Sequence, residues 1–261
     1  MEDYQVVQKL GAGGQGSTCV VVHKQTKQHF VLKHMQCQGG AREANAALKE
    51  AKTLQLLKHP GIVDYEDVFL KDTTDAFGQP RMGVCIVMEL CKWGDLHKLI
   101  TKELKPKRQI LPEPKALKWL HEISSALEYL HGEKVIHRDM KIHNVLITDR
   151  DSVKIGDFGV AKLQDRAQSI AGTPCYFSPE VHAGKSYGGA ADVWGLGCIA
   201  YELMTLELLY EKRGLLCLSV QRQPIQPGQL PGTYSQGLRE WLCSVLHPNQ
   251  KSRPTAGECR Q

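Results

Sequence analysis

The sequence lacks most of the features that would take it out of the ordinary globular class. No stretch approaches about 18 consecutive apolar residues, so no membrane-spanning helix and no membrane insertion is expected. The opening MEDYQVVQKL carries early acids and no long apolar run, which is not a signal-peptide pattern. Nine cysteines are scattered between Cys19 and Cys259 without a C-x-x-C pair. That spacing argues against a zinc ribbon or a dithiol redox motif and suits a reducing compartment. No internal repeat shows at periods of about 20–50 residues. Charge of one sign is also missing in quantity: 33 Lys and Arg against 28 Asp and Glu leave +5, which does not demand nucleic acid. The reading is a soluble intracellular protein, cytoplasmic with the nucleus open.

What is present is a chain of 261 residues, 42% hydrophobic and 23% charged. It is long enough to bury a sizeable core without staples, as one domain or one domain of two lobes. The composition is neither collagen-like, nor disordered, nor that of a disulfide miniprotein.

Local patterns divide the chain. Tyr4 to Leu10, Thr18 to His23 and Phe30 to Met35 read as strands, with a polar turn over 24–28. Ala41 to Lys58, rich in Ala, Glu, Leu and Lys, reads as a helix stopped by His59-Pro60-Gly61. Ile62 to Leu70 and Val84 to Leu90 read as two further strands around the polar loop KDTTDAFGQPR. Beyond Cys91 the pattern turns helical. Asp95 to Thr101 is short, and Lys102 to Pro114 is a basic, Pro-bearing connector. Lys115 to Leu130 is amphipathic, with Leu117, Leu120, Ile123, Ser124, Leu127 and Leu130 at spacings of three and four. Ala190 to Thr205 and Gly237 to Leu246 complete the helices. The expectation is a small β-rich front lobe and a larger helical back lobe, joined near residue 91.

Four constellations carry chemistry. Gly11-Ala12-Gly13-Gly14-Gln15-Gly16 leads into the strand TCVVVH rather than a helix, and Lys33 stands where a dinucleotide fold would place an acid. Glycines inside such a hairpin turn let the backbone close over phosphates. Lys33 lies within an apolar strand, where an ammonium is costly without partners; Glu50 in the following helix is a candidate counter-charge. VIHRDMKIHNVLI, residues 135–147, packs His, Arg, Asp, Lys and Asn between apolar runs. There Asp139 is a candidate base and Asn144 an oxygen ligand suited to Mg²⁺. Thirteen residues after Asn144 comes Asp157-Phe158-Gly159 at the end of a short strand, with a carboxylate placed to hold a metal.

In this order, followed by Ser178-Pro179-Glu180, Asp192-Val193-Trp194 and Arg253-Pro254, these motifs resemble a eukaryotic protein kinase domain along nearly the whole chain. The resemblance implies an α+β, bilobal kinase fold over residues 1–261. The N-lobe, a small antiparallel sheet with one helix, would take about 1–90. The hinge would fall at about 89–93 and the mainly helical C-lobe at about 94–261. It implies ATP and Mg²⁺ as cofactors and proteins with Ser or Thr acceptors as partners. Leu10, Gly11, Ala12, Gly13, Gly14, Gln15, Gly16, Ser17 and Thr18 would cover ATP. Lys33 would contact its α- and β-phosphates and pair with Glu50. The main chain at Glu89 and Cys91 would hold adenine, with Met88 behind it and Leu10, Val31 and Leu146 around the ring. Asp95 would reach the ribose, and Asn144 and Asp157 would hold the metal. Asp139 would take the hydroxyl proton while Lys141 steadies the transferred group.

Lys141, and Gly172-Thr173-Pro174 before SPE, resemble the serine/threonine class. Val31, Gly156 directly before DFG, and GTP-x-Y-x-SPE at 172–180 resemble the NIMA-related (NEK) kinases. Regulatory candidates are Ser169 and Thr173 in the segment between DFG and SPE, with Arg138 as the cation for a phosphoserine at Ser169. Thr18 and Gly195 depart from the commoner Val and Ser. The alternative function is a catalytically weak or dead pseudokinase that serves as a binding scaffold. The run Lys102 to Arg108 reads either as a solvated connector or as a contact for an acidic partner, and His131 shows no ligand spacing.

Overall fold

Apolar residues at alternate positions in the first ninety build a sheet. The computed structural model describes residues 2–13, 16–37, 39–74, 80–157, 174–209 and 224–260. Tyr4–Gly13 (β1), Gly16–His23 (β2), His29–Cys37 (β3), Tyr65–Thr74 (β4) and Pro80–Glu89 (β5) pair antiparallel in the order β1-β2-β3-β5-β4. The pleat gathers Tyr4, Cys19, Val21, Phe30, Leu32, Cys85 and Val87 into one buried cluster. Each fully buried Val, Leu or Phe there contributes roughly 1.5–3 kcal/mol. Helix α1 (Gly40–Gln55) packs along β3, β4 and β5 through Ala44, Ala47, Ala51 and Leu54. Three alanines on that stripe let the helix axis come close to the sheet.

Two strands run further than the apolar pattern implies. The polar loop read at 71–81 is ladder at both ends, where Asp72 pairs with Met82 and Thr74 with Pro80. Main-chain hydrogen bonds, which need no apolar side chains, carry this extension. Gly16 begins β2 where a Cβ would lie 2.0 Å from the His34 carbonyl oxygen, so only glycine allows that approach.

Among the described residues, 2–58 and 62–91 form one unit, and 59–61, 92–157 and 174–260 form a second. In the second, Leu96–Lys98, Leu99–Leu104 and Lys105–Lys107 run on as one helical stretch (α2), with wide π-type turns across its middle. The connector expected from residue 102 therefore starts only after Lys107. Arg108 ends the stretch in the left-handed region at φ 49°, two residues past Pro106, which has no N–H to continue it. Glu113–Gly132 (α3) buries Leu120, Ile123, Leu127 and Leu130 as the spacing predicts. Leu117, read as part of that face, is 46% exposed; Ala116 and Trp119 are buried in its place.

Val145–Ile147 (β6) and Val153–Ile155 (β7) form a short hairpin. Pro179–His182 (α4), Gly189–Thr205 (α5) and Gln236–Val245 (α6) follow. Helix α5 is buried on all sides from Asp192 to Met204, and α3 and α6 both pack on it. Its Gly195 faces Met140, whose Cβ would sit 2.5 Å from a side chain there. The departure from Ser noted in the sequence thus gives the loop at 137–144 room against α5. No helix among the described residues is long and apolar enough to cross a membrane.

Candidate active site

The second unit carries the 137–144 loop between α3 and β6, anchored from below. Asp192, 1% exposed near the start of α5, accepts the main-chain N–H groups of His137 and Arg138, both at 2.8 Å. It also meets His131 Nε2 at 2.9 Å. Arg138 is exposed and held at φ 68°, a left-handed conformation costing roughly 1–2 kcal/mol for a non-glycine residue. The bond to Asp192 keeps it there.

His137 is buried, and its two ring nitrogens define its state. Nε2 lies 3.0 Å from the Gly156 carbonyl oxygen, an acceptor only. Nδ1 lies 3.3 Å from the Asp139 main-chain nitrogen, a donor only. A neutral ring protonated on Nε2 satisfies both at once. Burial pushes the imidazole below its ordinary pKa and outweighs the pull of Asp192, the Gly156 carbonyl, Asp139 and Asp157. His137 therefore works as a neutral brace and not as an acid or base.

On this brace stand the side chains singled out in the sequence. Lys141 Nζ donates to Asp139 Oδ2 at 2.8 Å, with both groups about four-fifths buried. Asn144 Nδ2 donates to the Asp139 carbonyl at 2.7 Å and to Asp139 Oδ2 at 3.3 Å. The register of β6 and β7 puts Asn144 opposite Gly156, whose N–H donates to the Asn144 carbonyl at 2.9 Å. Asp157 follows at once, exposed and at φ 60°. One ammonium, two carboxylates and an amide are thereby gathered at one end of a two-stranded hairpin.

This donor set suits a hard divalent cation. Asn144 and Asp157 offer oxygens only, the choice of Mg²⁺. No group of three or more His, Cys, Asp or Glu among the described residues could hold a metal by itself. A cation on this pair would complete its shell from water and substrate phosphate, as Mg²⁺ commonly does.

The remaining predicted positions divide between the units. In the second, Asp95 caps α2, its Oδ1 accepting the Lys98 N–H at 2.7 Å, and it bridges Leu146 on β6. Its carboxylate already has a structural task besides any ribose contact. In the first unit, Gly11, Ala12 and Gly13 pair with Thr18, Ser17 and Gly16. Leu10 is exposed on β1, and Gly14 and Gln15 lie outside the described residues. Val31 and Lys33 sit on β3, opposite Met88 and Ile86 of β5. Glu50 lies on α1, which packs along β3. The Glu89 N–H is spent on the Asp64 carbonyl at 3.0 Å, so its main chain can meet a ligand only through its own carbonyl. Cys91 is half-buried at the end of this unit. Ser169 and Thr173 lie outside the described residues.

Three supports escaped the sequence reading. His131 serves Asp192 from 61 residues away. Arg253 grips Glu180 of α4 through both guanidinium nitrogens, at 2.6 and 2.7 Å, and stacks over Trp194 of α5. Burial alone would raise Glu180, but the guanidinium outweighs it and holds the carboxyl below its usual range. Tyr176 Oη donates to Glu202 at 2.6 Å, joining the segment before SPE to α5. None of these pairs has a local spacing to betray it; Tyr176, Glu180, Asp192, Trp194 and Arg253 were marked only as members of motifs, and His131 only as a histidine without ligand spacing.

A family model for the protein kinase domain matches residues 4–261. The chain is 34% identical over 263 residues to serine/threonine-protein kinase Nek6 of Oryza sativa subsp. japonica, covering 99% of this chain and 47% of that protein. It is 33% identical over 257 residues to serine/threonine-protein kinase Nek4 of Mus musculus, covering 97% and 31%. Against serine/threonine-protein kinase Nek1 of Mus musculus the identity is 32% over 263 residues, covering 98% and 21%. The chain spans less than half the length of these relatives.

Proposed function

Because this chain belongs to the protein kinase domain family, we propose that it transfers the γ-phosphoryl group of ATP to serine or threonine hydroxyls of protein substrates. The observation that carries this reading is the Asp139–Lys141–Asn144 cluster on a neutral His137. A carboxylate acceptor stands beside a fixed ammonium, with the Asn144 amide donating to the same carboxylate.

Asp139 takes the proton as the substrate oxygen bonds to the γ-phosphorus. The bond from that phosphorus to the β,γ-bridging oxygen breaks, and ADP leaves with the electron pair. Lys141 lies close enough to Asp139 to neutralise charge on the group in flight. Asn144 and Asp157 would hold Mg²⁺, which when bound supplies charge neutralisation on the phosphates. Lys33, paired with Glu50, would orient the α- and β-phosphates, and the turn from Leu10 to Thr18 would cover them. The Glu89 carbonyl and the Cys91 N–H would seat adenine. Such chemistry is mostly positioning, which is why a rigid brace matters more than a reactive one. An intracellular setting fits the nine scattered cysteines of the sequence, which form no C-x-x-C pair.

The test is transfer of labelled phosphate from ATP and Mg²⁺ to a generic protein substrate by wild type and by Asp139→Asn. The expected result is label on Ser or Thr that falls by about 10²-fold or more in the variant. ATP binding without transfer by wild type would overturn the proposal in favour of a scaffold. Transfer that survives Asp139→Asn would overturn the assignment of the base.

A further inference from the structure

The helix that carries the basic run read at Lys102 to Arg108 borders a cavity through Lys98, Leu99 and Glu103. Within the second unit a cavity of about 580 Å³ is lined by Trp93, Leu99, Trp119 and Ile147 together with three lysines and three acids. It lies toward the turn of the β6–β7 hairpin, whereas Asn144 and Gly156 lie at the other end. Its wall is pinned. Lys115 stacks over the Trp119 ring at 4.7 Å and bridges Asp151 at 2.7 Å, while Trp119 Nε1 donates to the Asp151 carbonyl at 3.1 Å. Trp93, 66% exposed, turns an apolar face of that lining to solvent.

Charge identifies the visitor. The lining itself holds Lys92, Lys98 and Lys115 against Glu103, Asp149 and Asp151, while the stretch 92–118 around it holds eight Lys and Arg against three Asp and Glu. The three acids of that stretch are engaged. Asp95 caps α2, Glu103 bridges Lys107 at 3.0 Å, and Glu113 accepts the Ser235 N–H at 2.7 Å. Of the acids at the hairpin turn, Asp151 is bridged by Lys115, which leaves Asp149. Lys92 and Lys98 form no ion pair among the described residues.

We propose that this groove docks an acidic linear peptide segment of a protein partner, with an apolar side chain seated against Trp93 and Leu99 and its carboxylates on Lys92 and Lys98. An exposed indole beside free ammonium groups matches the makeup of interface hot spots. The lysines would set on-rate and salt dependence, and the apolar anchor most of the affinity.

The test uses a fluorescein-labelled peptide of about a dozen residues, half Glu and Asp with Leu and Phe between, read by anisotropy on the whole chain. The expected result is binding that weakens about tenfold in Trp93→Ala, in Lys92→Glu combined with Lys98→Glu, and between about 50 and about 500 mM NaCl. A peptide with the same acids and no apolar residues binds at least about tenfold more weakly. Thermal melts of both variants confirm that these surface changes leave the fold in place. Wild type alone can also refute the proposal. It fails if nothing binds up to about 1 mM, or if a Lys-for-Glu peptide or an oligothymidine of similar length binds as well. Binding that both variants retain overturns it too. The readout needs no phosphate transfer, so it stands or falls apart from the proposed activity.

Discussion

Asp192 makes a sharp prediction because its carboxylate serves three donors at once. Asp192→Ala leaves the His137 and Arg138 N–H groups without their acceptor in a site 1% exposed to water, and it frees His131. An orphaned buried donor costs about 1–3 kcal/mol, so two of them with the lost His131 contact bring the expected loss to about 3–5 kcal/mol. Asp192→Asn should be milder. Its carbonyl oxygen can keep the Arg138 N–H, and His131 can turn its other tautomer toward the new amide. Only the His137 N–H is orphaned, at about 1–3 kcal/mol. His131→Ala, which removes a partner that is partly exposed, should cost least. Urea unfolding followed by tryptophan fluorescence suits the measurement, since Trp119 and Trp194 are both buried in this unit. The order Ala, then Asn, then the His131 variant is the signature. A loss below about 1 kcal/mol for Asp192→Ala, or equal losses for Ala and Asn, would refute the reasoning, because main-chain donors would then be finding other partners. Where the Asn variant stays folded, kcat for phosphate transfer should drop more than KM for ATP rises, because the brace sets Asp139 and not the nucleotide.

Two further outcomes follow from burial and charge. Glu180→Ala should destabilise by about 3–5 kcal/mol, since it strands the fully buried Arg253 guanidinium, whereas Glu180→Met with Arg253→Met should cost clearly less; equal costs in thermal or urea melts would contradict this. Burial lowers His34, His59, His137, His143 and His182 below the ordinary histidine value. The unfolded chain binds protons near pH 6.5 that the folded chain refuses. Stability should therefore be full above about pH 6.5 and decline as pH falls, with His137 alone contributing up to about 1.4 kcal/mol per pH unit. Urea midpoints that stay flat between about pH 7.5 and about pH 5 would refute it.

How much of this was legible in the residues depends on the range of the interaction. β2 and β3 could be read from Thr18-Cys19-Val20-Val21-Val22 and Phe30-Val31-Leu32 because pleat alternation is local. The kinase resemblance was legible because HRD, DFG and SPE stand in order, and the match to the family model across residues 4–261 agrees with it. Helix α2 was cut short in the reading because Lys102 to Arg108 is solvated and contains Pro106, while the helix rests on Leu96, Ile100 and Leu104. Leu117 was given to the apolar face of α3 because periodicity cannot tell which edge of a stripe water reaches. The grip of Asp192 on the 137–139 main chain was beyond any pattern, as hydrogen bonds across 54 and 55 residues leave no period.

His137, Arg138 and Asp139 are consecutive, yet each answers to a different part of the molecule. His137 is locked to Gly156, Arg138 is pinned by its main chain to α5, and only the Asp139 side chain looks toward Lys141 and Asn144. Shape and chemistry therefore sit on neighbouring letters of the same word. A lineage could rewrite Asp139 while every strut beneath it held, leaving a chain that still folds but has lost the carboxylate on which the proposed transfer depends. Rewriting His137, or giving up both oxygens of Asp192, offers no such halfway house, because the strut itself goes.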